Sequence, residues 1–272
     1  MEVCLGDHDE GYYQRQDPFG FSGDFVTAPE ISGLFGEMCG LYLAHMFELS
    51  GAPDNGVVIE LGPGRGTLMR DMRHVWSALM PTLTSLPLHF LETSQYLQAL
   101  QSKMLQTEIL QADMPQNTAD SYWHDDINNM LTPLKGPIFG IANEFFDALP
   151  VAQYVYQAGS WFERKVATEN ECLIMVTDAD PVEADPALPN SPTEGMVAEL
   201  CPAAMRIMTA LATHIAKFGG AMLIIDYGLD GNPGNSLQAV TNHKPVDILD
   251  KPGMTDLSHW VDFAALGRAA AE

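Results

Sequence analysis

The sequence predicts a doubly wound α/β fold: a mostly parallel, Rossmann-like sheet with helices on both faces, carrying an antiparallel insertion. Three observations lead there. Short apolar runs at residues 57–61, 88–91, 138–142 and 221–225 read as buried strands. Helical patterns alternate with them along the chain. A glycine turn, Gly62-Pro63-Gly64-Arg65-Gly66, stands where the first strand passes into its helix. Repeated strand–helix units with right-handed crossovers leave few topologies open.

Residues 1–50 form a helical and loop region expected over a bound cofactor, with a helix at about 31–49 and the loop Gly23-Asp24-Phe25-Val26-Thr27-Ala28-Pro29-Glu30 before it. Residues 51–150 make the cofactor-binding half. After Thr67, Leu68, Met69, Met72, Val75, Trp76 and Leu79 recur at helical spacing, and Pro81 marks the end. Ser94 reads as an N-cap for a helix with Leu97, Leu100 and Met104 on one face. The strand at 138–142 is bounded by Gly136-Pro137 and Asn143-Glu144.

Residues 151–195 read as the insertion. A hairpin is expected from 151–156 and 161–167 across Gln157-Ala158-Gly159-Ser160, with a third strand at 172–176. The stretch 178–195, rich in Asp, Glu, Pro and Ala, reads as a mobile surface loop. Residues 196–272 supply the second half of the sheet, with a helix at 196–218 and a strand ending in Asp226-Tyr227-Gly228.

At 272 residues and 46% hydrophobic, the chain can bury a sizeable core. No apolar stretch approaches the ~20 residues of a membrane span, and the first residues lack the basic start and apolar run of a signal peptide, so an intracellular location is expected. Thirty-six acidic residues against 13 basic ones give a net charge of −23, which argues against nucleic-acid and anionic-membrane partners. Cys4, Cys39, Cys172 and Cys201 are scattered, with no spacing that suggests a zinc or disulfide framework.

The chemistry concentrates at Glu60-Leu61-Gly62-Pro63-Gly64-Arg65-Gly66-Thr67-Leu68. In a dinucleotide fingerprint a third glycine follows two intervening residues, but that position is Thr67 here, which counts against NAD. A tight turn through Gly62, Gly64 and Gly66, preceded by Glu60, suits S-adenosylmethionine, whose amino acid end needs a close backbone and a nearby negative charge. Glu92, at the end of the second strand, can accept both ribose hydroxyls. Asp113 is a candidate for the adenine amino group after a third strand that the sequence marks poorly, with a plain loop aspartate as the alternative. Asn143 and Glu144 open at the carboxyl edge of the sheet, where ligands of such folds bind, and are the candidate catalytic residues. Phe145, Phe146 and Leu149 read as core, and Asp147 as the cap of a short helix.

Together, Gly23 to Glu30, Glu60 to Leu68, Asn143-Glu144-Phe145-Phe146-Asp147-Ala148-Leu149-Pro150 and Ile224-Ile225-Asp226-Tyr227-Gly228 resemble the MidA-like family. The resemblance runs from Gly11-Tyr12-Tyr13 to Val261-Asp262-Phe263. It implies a class I methyltransferase fold, S-adenosylmethionine as cofactor, and an arginine of a protein client as acceptor. The mitochondrial members of the family are arginine methyltransferases that help assemble respiratory complex I, so a complex I subunit is the implied client. The implied location is the cytoplasm in a bacterium and the mitochondrial matrix in a eukaryote. The resemblance also brings Gly23 and Phe25 over the cofactor and puts Glu144 at the acceptor, where a carboxylate can pair with a guanidinium. Asp24, Asp226 and Tyr227 are secondary candidates. Relative to the family, an N-terminal helix and a C-terminal segment are expected to be absent, leaving apolar surface bare at 261–266. The competing reading is an assembly factor that binds S-adenosylmethionine without catalysis.

Overall fold

The computed structural model describes residues 1–7, 11–15, 27–111, 120–183, 185–241 and 243–271. The chain enters through two short helices, α1 (Glu2–Gly6) and α2 (Tyr12–Arg15). The helix expected at about 31–49 is α4 (Gly33–Leu49), and a short helix, α3 (Ala28–Ile31), precedes it at the end of the stretch read as a loop. Ser32 is extended between them, and its Oγ accepts the Leu34 N–H to cap α4.

The first half of the sheet then builds in strand–helix order: β1 (Val57–Leu61), α5 (Thr67–Leu79), α6 (Pro81–Thr84), β2 (Leu88–Leu91) and α7 (Gln95–Gln111). Ser94 caps α7 as expected, its Oγ accepting the Leu97 N–H at 3.2 Å. Next come β3 (Ser121–His124), α8 (Ile127–Leu131) and β4 (Ile138–Asn143).

The insertion holds the expected hairpin and third strand as β5 (Ala152–Gln157), β6 (Ser160–Glu169) and β7 (Cys172–Pro181), and adds β8 (Val197–Leu200). These four pair antiparallel in the order β7-β6-β5-β8. Two expectations are corrected. β7 runs into the stretch read as a mobile loop, and residues 197–200, read as the start of a helix, are a strand. Pro202 explains the second: it disfavours helix at Cys201 and suits the first turn of α9 (Pro202–Phe218), where its missing N–H costs nothing.

The chain closes with β9 (Gly220–Ile225), β10 (Gly228–Leu229), β11 (Gln238–Thr241), β12 (Lys244–Val246), β13 (Asp256–Ser258), β14 (Val261–Asp262) and α10 (Phe263–Ala271). Val261 and Leu266, expected to be bare, are each 3% exposed, because they pack into the core beneath α9.

The central sheet has the order β3-β2-β1-β4-β9, all five strands parallel. Both faces are covered, which is why β1, β2 and β4 read as continuous apolar runs. On one face Val58, Phe90 and Ile141 meet Leu43, Phe47, Met72 and Trp76 of α4 and α5. On the other, Ile59, Leu61 and Ile138 meet Met130, Leu211 and Leu266. Each such side chain contributes roughly 1.5–3 kcal/mol by burial. α4 and α5 touch backbone to backbone: a Cβ at Gly40 would lie 2.9 Å from the Met72 Cα, and Trp76 Nε1 donates to the Gly40 carbonyl at 2.7 Å. A smaller cluster joins Leu5 and Tyr12 to Ala239 and Leu257, tying the N-terminal helices to the β12-β11-β13 sheet. Among the described residues no helix is long and apolar enough to cross a membrane.

Candidate active site

The strand order reverses between β1 and β4, and at that switch point the carboxyl ends of the strands face a cavity of about 580 Å³. Every parallel strand brings a carboxylate to this edge: Glu60 within β1, then Glu92, Asp125, Glu144 and Asp226 just after β2, β3, β4 and β9. Gly23 and Phe25, expected over the cofactor, and Asp24 lie outside the described residues, as does Asp113.

Gly62, Gly64 and Gly66 all have positive φ, at 62°, 54° and 85°. The turn therefore needs glycine: it folds back tightly enough to open α5 at Gly66 and to present backbone to the cavity. Glu60 is 2% exposed, and its Oε2 has no hydrogen-bond partner. Burial pushes its carboxyl up to about 8. Glu92 is also buried, but partnered: Oε1 accepts the Ser94 N–H at 2.8 Å and Oε2 accepts Gln101 Nε2 at 3.1 Å. Burial lifts it to about 7 against the pull of those bonds.

The described part of the 23–30 loop reaches both sides of the cavity. Glu30 accepts from Thr67 Oγ1 at 2.6 Å and pairs with Arg65 at 3.1 Å, latching the glycine turn. The Ala28 N–H hydrogen-bonds the Glu144 carboxylate, and the neighbouring Asn143 side chain also favours its charged form.

Asn143 ends β4, and Glu144 follows with φ of 48°, a left-handed conformation uncommon for a glutamate. The Glu144 N–H donates to the Ile225 carbonyl at 2.9 Å, which anchors this conformation to β9. Burial raises the Glu144 carboxyl, and the Asp226 charge adds to the rise. Phe146 is core, as expected, whereas Phe145 lines the cavity against the glycine turn.

Asp147 belongs to this wall too. It sits in a turn rather than capping a helix, and burial raises it first, then the charges of Asp226, Asp256 and Glu144. Asp226 accepts the N–H groups of Phe146, Asp147 and Tyr227. Those three donors favour its anion and work against the rise that burial causes. Tyr13 reaches in from α2 and donates to Asp256 Oδ1 at 3.0 Å. The His259 N–H donates to the Asp147 carbonyl at 3.0 Å, stitching the segment after β13 to the Asp147 turn. Tyr227 and Trp260, 65% and 44% exposed, stand at the mouth.

Sequence reasoning missed Asp125, Asp147 and Asp256 as parts of this pocket, and Gln101 behind its lining. Asp125 had a signal: the aromatic-rich Ser121-Tyr122-Trp123-His124 is β3. Because β3 begins after Asp113, the acidic residue at its carboxyl end is Asp125. The others are brought in by pairings far apart in the chain.

A five-stranded parallel sheet with a pocket at its switch point, a glycine turn after β1 and an acidic residue after β2 defines a nucleoside-binding α/β protein of the Rossmann-like class. Residues 38–272 match the model of a family described as "Putative S-adenosyl-L-methionine-dependent methyltransferase", and the chain belongs to that family. It is similar to the mitochondrial protein arginine methyltransferase NDUFAF7 of Danio rerio, 34% identical over 277 residues, covering 96% of this chain and 65% of that protein. The Homo sapiens protein of the same name is 33% identical over 288 residues, covering 99% of this chain and 64% of its own length. The chain thus spans just under two thirds of these curated relatives. A COG1565 superfamily member from Burkholderia thailandensis, crystallised bound to S-adenosyl-homocysteine, superposes with a TM-score of 0.80 at 27% identity, covering 99% of this chain and 70% of that one.

Proposed function

We propose that this protein is an S-adenosylmethionine-dependent methyltransferase whose acceptor is an arginine of a protein client. The observation that carries the reading is Glu60: a buried carboxylate with one oxygen unpartnered, facing a cavity below three left-handed glycines. A lone buried carboxylate is costly, and a cationic ligand group relieves the cost. The ammonium of S-adenosylmethionine is such a group, and Glu92 offers both oxygens to a ribose diol. The family description and the S-adenosyl-homocysteine-bound neighbour support the same cofactor.

When bound, the cofactor supplies an electrophilic sulfonium methyl group. Residues of the chain do the rest by positioning. Glu60, Gly62, Gly64 and Gly66 hold the amino acid end, and Glu92 holds the ribose. Asp125 takes the place at the adenine that Asp113 was expected to fill, and Gly23 and Phe25 are assigned to the cover. Glu144 pairs with the acceptor guanidinium and localises its charge away from the attacking nitrogen, while the adjacent Asn143 side chain favours the charged form of Glu144. Asp226 and Asp256 keep that wall negative, their charges adding to the rise of Asp147, and Tyr227 and Trp260 offer ring faces at the mouth. A guanidinium suits this wall better than a lysine amine, which must lose its proton before attack, a loss that surrounding carboxylates oppose.

The relatives named as arginine methyltransferases support the acceptor class. The MidA-like resemblance extends it to a respiratory complex I subunit as client, in the mitochondrial matrix for a eukaryotic chain and the cytoplasm for a bacterial one. Calorimetry should show S-adenosyl-homocysteine binding and no NAD binding. Labelled cofactor incubated with a bacterial or mitochondrial extract should mark arginine, as read by mass spectrometry. Label on lysine, a small molecule or nucleic acid would overturn the acceptor. Binding with no transfer to any client would support the non-catalytic assembly factor instead.

A further inference from the structure

We propose that Gln101 is the positioning residue of the cofactor cradle, locking the glycine turn and the Glu92 carboxylate into one rigid unit. The inference rests on the reading of this pocket as an S-adenosylmethionine site. Gln101 is 1% exposed, near the middle of α7. Its Nε2 donates to the Gly64 carbonyl at 2.7 Å and to Glu92 Oε2 at 3.1 Å, and its Oε1 accepts Trp123 Nε1 at 2.7 Å. The assignment is self-consistent in one orientation only. Trp123 can only donate, and a carbonyl and a carboxylate can only accept, so the amide cannot be reversed.

All the hydrogens of this amide are committed. Gln101 therefore acts on a ligand through Gly64 and Glu92 rather than by touching it. α7 also lies against the turn, since a Cβ at Gly66 would come 3.6 Å from the Gln101 Cα. β1, β2 and β3 each end in a group that this one side chain or its partner contacts: the glycine turn, Glu92 and Trp123. With Ser94 holding Oε1 and Gln101 holding Oε2, the remaining lone pairs of Glu92 are fixed before any ligand arrives. Such preorganisation removes an ordering cost from binding and leaves the transfer step untouched.

The test uses the full chain and S-adenosyl-homocysteine as the calorimetric probe, with thermal melts on every variant. Gln101→Met keeps the length and removes all three bonds, so binding should weaken by roughly tenfold to a hundredfold. KM for the cofactor should rise by the same factor, while kcat at saturating cofactor stays within about threefold. Gln101→Glu matches the shape but turns a carboxylate toward Glu92 and the Gly64 carbonyl, so at pH 8 it should bind more weakly than Gln101→Met. Trp123→Phe removes one bond and should weaken binding less than Gln101→Met. It keeps the order testable if a Gln101 variant does not fold. A role in packing alone predicts the reverse order, with Gln101→Glu nearest to wild type. Wild-type affinity in Gln101→Met, that reversed order, or kcat falling in step with a rising KM would overturn the inference. Failure of the wild-type chain to bind S-adenosyl-homocysteine would overturn the reading of the pocket itself, and the inference with it.

Discussion

The two walls of the cavity are built on opposite electrostatic plans. At the ends of β1 and β2 each carboxylate is isolated, Glu60 by burial and Glu92 by a ring of hydrogen-bond donors. At the ends of β4 and β9 the carboxylates crowd: the Asp226 charge adds to the rise of Glu144, and the charges of Asp226, Asp256 and Glu144 add to that of Asp147. The first wall offers fixed, separate contacts to a ligand of one shape. The second stores repulsion that any well-placed cation relieves, which suits an acceptor presented by a protein. On the proposed function, specificity by geometry and specificity by charge occupy adjacent strands of one sheet.

The comparison breaks most severely at Gly64. Its φ of 54° is strained for a β-branched residue, and Gly64→Val also puts a side chain at the cavity lining. Binding of S-adenosyl-homocysteine should be lost by calorimetry while the far-ultraviolet dichroism is kept; unchanged affinity would remove the turn from the cofactor site. Glu144→Gln probes the other wall. It keeps the shape and the backbone anchor, so cofactor affinity should persist while transfer falls on the order of 10²-fold or more. Equal activity in that variant would show that the acceptor does not depend on this carboxylate.

Glu92→Ala should cost ~1.5–3 kcal/mol of cofactor binding, the range for hydrogen bonds to a charged group. A loss under ~0.5 kcal/mol would mean that the ribose is held elsewhere. The smallest effect is a slope. Glu60 is held up to about 8 and Glu92 to about 7, so between pH ~4.5 and those values the native state holds protons that the unfolded chain has released. Stability of the ligand-free protein should therefore fall as pH rises from about 5 to 8. Glu60→Gln should flatten that slope in thermal melts and weaken cofactor binding at the same time. Stability rising across the window would contradict the isolation of Glu60.

How much of this was readable from sequence depends on burial. β1, β2 and β4 lie in the middle of the sheet, and their unbroken apolar runs gave both their position and the residues that follow them, Gly62, Glu92 and Glu144. β3 is an edge strand, half-exposed, with Ser121 and His124 in it, so its pattern was too polar to mark, and Asp125 at its carboxyl end went unread. β8 was hidden because its four residues run almost directly into α9. Gln101 carries no local sign of its role, since its three partners come from β1, β2 and β3 segments that only folding assembles. Asp147 was read as a cap because what surrounds it, Asp226 and Asp256, is about a hundred residues away in sequence.

The Tyr13–Asp256 hydrogen bond joins residues 243 apart. Leu5 and Tyr12 likewise find their packing partners at Ala239 and Leu257. During synthesis the packing of Leu5 and Tyr12 on Ala239 and Leu257 must therefore wait for almost the whole chain to leave the ribosome, long after Ser94 is there to donate its hydroxyl to the Tyr13 carbonyl. At an ordinary elongation rate of about 5–20 residues per second, that wait lasts on the order of tens of seconds. Through this interval the Leu5 and Tyr12 side chains lack those partners, and a chaperone or a neighbouring nascent chain has its best chance to engage them.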